Sequence, residues 1–322
     1  MSLVHVIGTG GTIASRADSG GSVVADSTDQ VLDATELTTR VSTEDVLHIN
    51  SFQLTFADLL ILHAAVSKAC QQPDIDGVVI THGTDTMEET AFFLSLLHSS
   101  EKPVILTGAQ RAADLPNTDG PENLRQAVLA AGAEQMRGVG VVIGFDGQFH
   151  AARHTRKSHT LATAAFSGGT VVAESYHDEI TRLATPASYA PVAEPTERFA
   201  ELKIPVLDAA PGSDATLFYA ALEHGADGIV LQGMGAGNAP PVYARAVEAA
   251  IAEGVPVVLS TRVPAGPVSA IYGNGGAVTL LDAGAMSANQ LNTYQARILL
   301  AVLLSHDMSD DTLRAAFAEQ TR

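Results

Sequence analysis

Residues 77–98 read GVVITHGTDTMEETAFFLSLLH, and three textures meet within them. Gly77–Thr81 is a short β-branched run bounded by a glycine and a threonine, the pattern of a buried strand. Met87–His98 carries apolar residues at helical spacing. Between the two, hydroxyl and carboxylate groups crowd a strand-to-helix junction. The same alternation extends outward. Leu3–Ile7, Val104–Thr107 and Val139–Ile143 read as buried strands, and Thr55–Gln71 and Gly120–Gly132 as helices. In the first of these helices Leu59, Leu62, Ala65, Val66 and Ala69 fall on one stripe. Strands alternating with helices predict an α/β fold, a mainly parallel sheet flanked by helices.

The texture changes at Thr185–Pro205, TPASYAPVAEPTERFAELKIP, where four prolines interrupt any periodicity. Alternation then resumes with strand Gly228–Leu231, helix Val242–Glu253, strand Val255–Ser260 and a final helix Tyr294–Leu304. The expected organisation is a larger N-terminal α/β domain over 1–185, a linker over 186–205 and a smaller C-terminal α/β domain over 206–322. Gly20–Gly21 and their neighbours read as a loop.

Composition narrows the function. The chain has 322 residues, 46% of them hydrophobic, and a net charge of −18. It can bury a sizeable core, and its acidic surface repels phosphate backbones and anionic membranes, so neither nucleic acid nor membrane is an expected partner. Cys70 is the single cysteine, which excludes an intrachain disulfide and a cysteine-rich metal site. The first residues, MSLVHVIGTGGTIAS, lack the basic region and apolar core of a signal peptide, and no apolar run approaches the ~18–20 residues of a bilayer span. A cytoplasmic location is the expectation.

In open α/β sheets ligands sit beyond the carboxyl ends of the strands. The first strand runs into Gly8-Thr9-Gly10-Gly11-Thr12-Ile13-Ala14. Ile13 stands where a dinucleotide fingerprint needs its third glycine, and no Gly-Lys-Ser/Thr follows, so neither a dinucleotide nor a phosphate loop is indicated. At the mouth of Gly77–Thr81, Thr86 with Glu89 three residues on has the spacing of a capping box, and Glu88 and Glu89 read as helix-start acids. Thr84 and Asp85 precede the cap and are candidate functional residues. Thr107-Gly108-Ala109-Gln110-Arg111 closes another strand, and Asp119 begins a helix. No metal-ligand cluster stands out; His150, His154 and His159 form the closest grouping of the eleven histidines and read as surface loop residues.

These motifs together resemble the bacterial-type L-asparaginase/glutaminase family. The resemblance rests first on TGGTIA at Thr9–Ala14 with THGTDTMEETAFFL at Thr81–Leu94. It continues through ILTGAQR at Ile105–Arg111, Asp119–Ala127, Arg153–Thr160, Gly233–Asn238 and RVPAG at Arg262–Gly266. It implies hydrolysis of L-asparagine to L-aspartate and ammonia through a threonine acyl-enzyme, with weaker action on glutamine, no cofactor and no metal. Thr12 resembles the nucleophile, and Thr84, Asp85 and Lys157 the supporting triad. Ser51 resembles the residue that holds the substrate α-carboxylate, and Asp85 also takes the α-ammonium. Gly11, Ala109 and Asn238 complete the substrate-binding positions, together with Phe52, which stands where the family commonly has glutamine. The family further implies a homotetramer, a dimer of dimers.

The chemistry suits those residue types. Splitting amide hydrolysis into acylation and deacylation eases attack on a poor electrophile. A lysine, with a reference pKa of ~10.4, serves as base only when desolvated or placed near other cations. Asp85 instead favours the charged form, which suits orienting Thr84 and routing protons; both roles stay open here. Backbone N–H groups of the Gly10–Thr12 turn are expected to face the developing oxyanion. Two departures stand out. Ser15–Leu32 contains no tyrosine where the family's mobile loop usually has one, and Gly266–Gly273 carries no acid to lend to a neighbouring subunit. Two other readings are an amidase subunit of a tRNA-dependent amidotransferase, which the acidic balance disfavours, and a module that binds asparagine without hydrolysing it.

Overall fold

The computed structural model describes residues 2–35 and 37–322. The chain forms two compact units, Met1–Pro191 and Val192–Arg322.

The first unit is built on strands β1 (Leu3–Gly10), β2 (Ser15–Asp18), β3 (Gly21–Val24), β4 (Arg40–Ile49), β5 (Gly77–Thr81), β6 (Val104–Thr107), β7 (Val141–Phe145), β8 (Gln148–Ala151), β9 (Arg156–Lys157), β10 (Phe166–Ser167), β11 (Val171–Tyr176) and β12 (Glu179–Arg182). Its helices are α1 (Thr28–Asp33), α2 (Phe56–Gln71), α3 (Met87–Leu97) and α4 (Gly120–Ala131). Eight strands make one sheet in the order β12-β11-β8-β7-β6-β5-β1-β4. From β4 to β7 all neighbours are parallel, and β8, β11 and β12 extend the sheet in antiparallel pairings. Every residue of β5, β6 and β7 is buried, which is why these strands read as unbroken apolar runs.

Helices cover the parallel part. Leu124, Ala127 and Val128 of α4 pack with Val6, Val79, Ile105 and Val142 in one core cluster. On α2 the buried residues are the five of the stripe. Residues 20 and 21 lie at the tip of the β2–β3 hairpin, where Asp18 pairs with Gly21. His150 departs from expectation: it is buried in β8, because the chain after β7 turns straight back into the sheet at Asp146–Gly147, both with positive φ.

In the second unit β13 (Val206–Asp208), β14 (Ile229–Gly233), β15 (Val257–Thr261) and β16 (Met286–Ser287) form a four-stranded parallel sheet in sequence order. It is accompanied by α5 (Thr216–Glu223), α6 (Val242–Ala252), α7 (Ala277–Asp282), α8 (Thr293–Leu304) and α9 (Asp310–Gln320). Helix α8 is therefore not the last; α9 follows and buries Leu313 and Phe317. Within the stretch read as a linker, residues Glu197–Glu201 form a short 3-10 helix, with Phe199 fully buried. Among the described residues no helix is long and apolar enough to cross a membrane.

Candidate active site

Three strand ends of the first unit meet at one place, and glycines permit the approach. β1 ends in Gly10 and Gly11, both at positive φ (95° and 81°), so the chain turns abruptly before the 3-10 helix Thr12–Ala14. A Cβ on Gly11 would lie 2.4 Å from the Gly83 nitrogen, and one on Gly10 2.6 Å from the Ile49 carbonyl oxygen. A Cβ on Gly83 would in turn meet the Ser51 hydroxyl at 2.5 Å. The turn bearing Thr12 is thus wedged between the end of β4 and the end of β5. Thr12 is half-buried. The Gly11 N–H donates to Ile49 O at 3.1 Å, so this one of the expected oxyanion donors is already committed to the scaffold.

The end of β5 delivers the densest hydrogen bonding. Thr84 is buried, at 5% exposure. Its hydroxyl accepts from Lys157 Nζ at 2.8 Å and donates to Gln110 Oε1 at 3.1 Å. Lys157 Nζ also donates to Asp85 Oδ1 at 2.8 Å. Thr84, Asp85 and Lys157 therefore form one connected group although 72 residues separate the last two. The Lys157 ammonium is mostly shielded, whereas the Asp85 carboxylate is more than half exposed, leaving it able to meet a solute.

Lys157 reaches this point because its strand is braced on both sides. β9 pairs with β10, Lys157 opposite Phe166, and Phe166 packs on Phe145 of β7 at 5.0 Å between ring centroids. The Lys157 backbone N–H donates to Glu88 Oε2 on the first turn of α3. Upstream, the Arg153 guanidinium stacks over Tyr189 at 3.6 Å and Phe92 at 5.2 Å.

The expected capping box at the start of α3 does not form. Thr86 occupies the N-cap position but makes no cap hydrogen bond with its side chain; its hydroxyl donates to Ser51 O at 2.9 Å. Ser51 Oγ accepts from the Asp85 N–H at 3.3 Å. The helix start is given over to joining β5 and the 3-10 helix Ser51–Gln53. Glu88, read as a helix-start acid, is buried and holds Lys157. Beneath the loop His82 Nδ1 donates to Gly83 O at 2.7 Å and Nε2 meets the Thr90 hydroxyl at 3.1 Å. Burial pushes the His82 pKa down to about 4 against a weaker opposing effect of the Gly83 hydrogen bond, so the ring is neutral at ordinary pH.

The remaining positions are distributed unevenly. Ala109 is fully buried just past β6. Phe52 is 69% exposed, so its ring is not packed into the core of this unit. Asn238 belongs to the second unit, where its Oδ1 accepts from the Ala277 N–H at the start of α7. The roles of two residues are not given by the sequence reading. Gln110, the partner of Thr84, sits inside a strand-end motif that also carries the family resemblance, but nothing in the motif marks its side chain as a site residue. Asp119 accepts the N–H groups of Gln110 and Arg111, a role that no local pattern announces. Among the described residues no three of His, Cys, Asp and Glu gather as a metal-ligand set.

Residues 3–185 match the family described as Asparaginase, N-terminal, and residues 203–317 the Glutaminase/Asparaginase C-terminal domain. The chain is 37% identical to a probable L-asparaginase of Deinococcus radiodurans, over 99% of this chain and 97% of that protein. It is 31% identical to the glutaminase-asparaginase of Pseudomonas aeruginosa, covering 99% and 91%. The crystal structure of a probable cytoplasmic L-asparaginase from Campylobacter jejuni superposes with a TM-score of 0.87 at 30% identity, over 99% of both chains.

Proposed function

Because the chain belongs to the asparaginase/glutaminase family, we propose that it hydrolyses the side-chain amide of L-asparagine, releasing L-aspartate and ammonia. The observation that carries the reading furthest is the Thr84–Lys157–Asp85 group at 2.8 Å spacings, beside a turn that presents a second threonine, Thr12.

In this reading the Thr12 hydroxyl adds to the amide carbon and its proton passes to the leaving nitrogen beside Thr84, which Lys157 holds in place. The C–N bond breaks, ammonia departs and an aspartyl ester remains on Thr12. Water then adds to the ester carbon, and its proton restores the threonine hydroxyl. Lys157 is held by a carboxylate and a hydroxyl together, and through these two bonds it orients Thr84. The Thr12 N–H serves the oxyanion, since the Gly11 N–H is taken. Ser51 and Asp85 hold the α-carboxylate and α-ammonium; Gly11 and Ala109 complete the contacts within the first unit, and Phe52 lines the approach.

Glutamine is a slower substrate in this proposal, since one methylene is worth only ~1–3 kcal/mol of discrimination and the Pseudomonas relative is named for both amides. A homotetrameric assembly and a cytoplasmic location belong to the same proposal; the name of the Campylobacter neighbour supports the second. Ammonia release by the purified protein, with asparagine and glutamine side by side, tests the activity. Sedimentation equilibrium tests the assembly. Thermal stabilisation by asparagine without any ammonia release would instead identify a binding module.

A further inference from the structure

The mechanism above uses Thr84 but leaves its second partner without a role. Gln110 follows Ala109 beyond β6, and its backbone is fixed from the start of α4. The Gln110 N–H donates to both carboxylate oxygens of Asp119 at 3.1 Å, the Arg111 N–H to one of them at 2.9 Å. Asn123 Nδ2 ties Asp119 to Gly108 O at 3.1 and 3.0 Å. The side chain projecting from this braced backbone makes one hydrogen bond, from Thr84 Oγ1 to Oε1 at 3.1 Å. Its Nε2 is buried and has no hydrogen-bond partner among the described residues.

A threonine hydroxyl has one hydrogen to give. The Lys157 ammonium, 2.8 Å away, can only donate, so the Thr84 hydrogen must go elsewhere, and Gln110 Oε1 is where it goes. We infer that Gln110 is a positioning residue for Thr84: by accepting the hydroxyl hydrogen it fixes the rotor and turns an oxygen lone pair toward Lys157. The inference rests on the hydrolase reading above.

The orphaned Nε2 separates this role from a merely structural one. A buried amide N–H with no partner destabilises a fold, and an apolar side chain of similar reach would remove that burden. Turning the amide over does not help, because Nε2 would then face Thr84 and leave Oε1 without a donor. Selection for stability alone has no use for glutamine here, whereas aligning a hydroxyl requires an acceptor at this point.

The test compares Gln110→Leu and Gln110→Glu with the wild-type full chain, measuring kcat and KM for asparagine and the melting temperature. Loss of one aligning hydrogen bond should lower kcat of the leucine variant about 5- to 10-fold, leave KM within about twofold and leave Tm unchanged or raised. Glutamate keeps an acceptor at the same reach and should recover most of that loss. A leucine variant with wild-type kcat overturns the inference. So does a loss of kcat that accompanies a falling Tm and is not recovered by glutamate. If the wild-type chain itself releases no ammonia from asparagine, the hydrolase reading fails and takes this inference with it. An active wild type with an unaffected leucine variant removes the role of Gln110 alone.

Discussion

Helices α2 and α3 begin with the same signature, a threonine followed three residues later by an acid, and the protein uses them differently. At α2 the capping box is complete: Thr55 accepts from the Asp58 N–H at 3.3 Å, and Asp58 returns a bond to the Thr55 N–H at 2.8 Å. At α3 the Thr86 hydroxyl leaves the helix to bind Ser51 O, and Glu88 leaves it to bind the Lys157 backbone. A helix start on the surface satisfies its own N–H groups, as local rules require. The start of α3 faces the meeting point of three strand ends, and there its polar groups connect distant segments. Where a strong local signature is present but unused, the neighbourhood has other work for those side chains.

This contrast can be broken or sharpened by experiment. Thr84→Ala, next to the unused cap, should lower kcat for asparagine by about 10³-fold or more while the melting temperature stays near wild type; Thr55→Ala should leave kcat untouched. Comparable kcat values for the two variants would erase the distinction. Gly11→Ala drives a Cβ toward the Gly83 backbone at positive φ and should destabilise the first unit by about 2–4 kcal/mol in denaturant titrations.

The next effect concerns pH. The His82 pKa lies at about 4 in the folded chain against an ordinary 6.5, so between these values the unfolded chain binds the extra proton. Stability therefore falls as pH drops from 6.5 to 4, by about 3 kcal/mol from this residue. His98 and His150, also pushed down by burial, act in the same sense. His82→Gln should flatten the slope of unfolding free energy against pH in that window, and an unchanged slope would refute the assignment. The smallest effect belongs to the ordinary cap: Thr55→Ala should lose about 1 kcal/mol, measurable as a lower urea midpoint.

Much of the fold was legible because its core strands obey strong local rules. β5 and β6 coincide with the predicted Gly77–Thr81 and Val104–Thr107. The residues buried on α2 are those of its apolar stripe, since burial against a sheet demands that spacing. β4 escaped notice because it lies at the sheet edge, where exposed and half-buried residues mix and no apolar run forms. The short antiparallel strands β8, β11 and β12 carry equally weak patterns. At the site, Thr84 and Asp85 stand out by their place between strand and cap, Thr12 and Lys157 only by motif resemblance, and folding brings Thr84, Asp85 and Lys157 into direct contact.

Helix and strand periodicity, glycine-rich bends at strand ends and a recognisable set of motifs could all be read along the chain, because each depends on residues near one another in order. Which groups Thr84, Thr86, Glu88 and Gln110 would bind could not be read that way. Each has donors or acceptors that several local partners could satisfy, and the choice falls to segments from 26 to 73 residues away. Packing of the sheet brings those segments within hydrogen-bond reach, and the bonds made there outcompete the nearer ones.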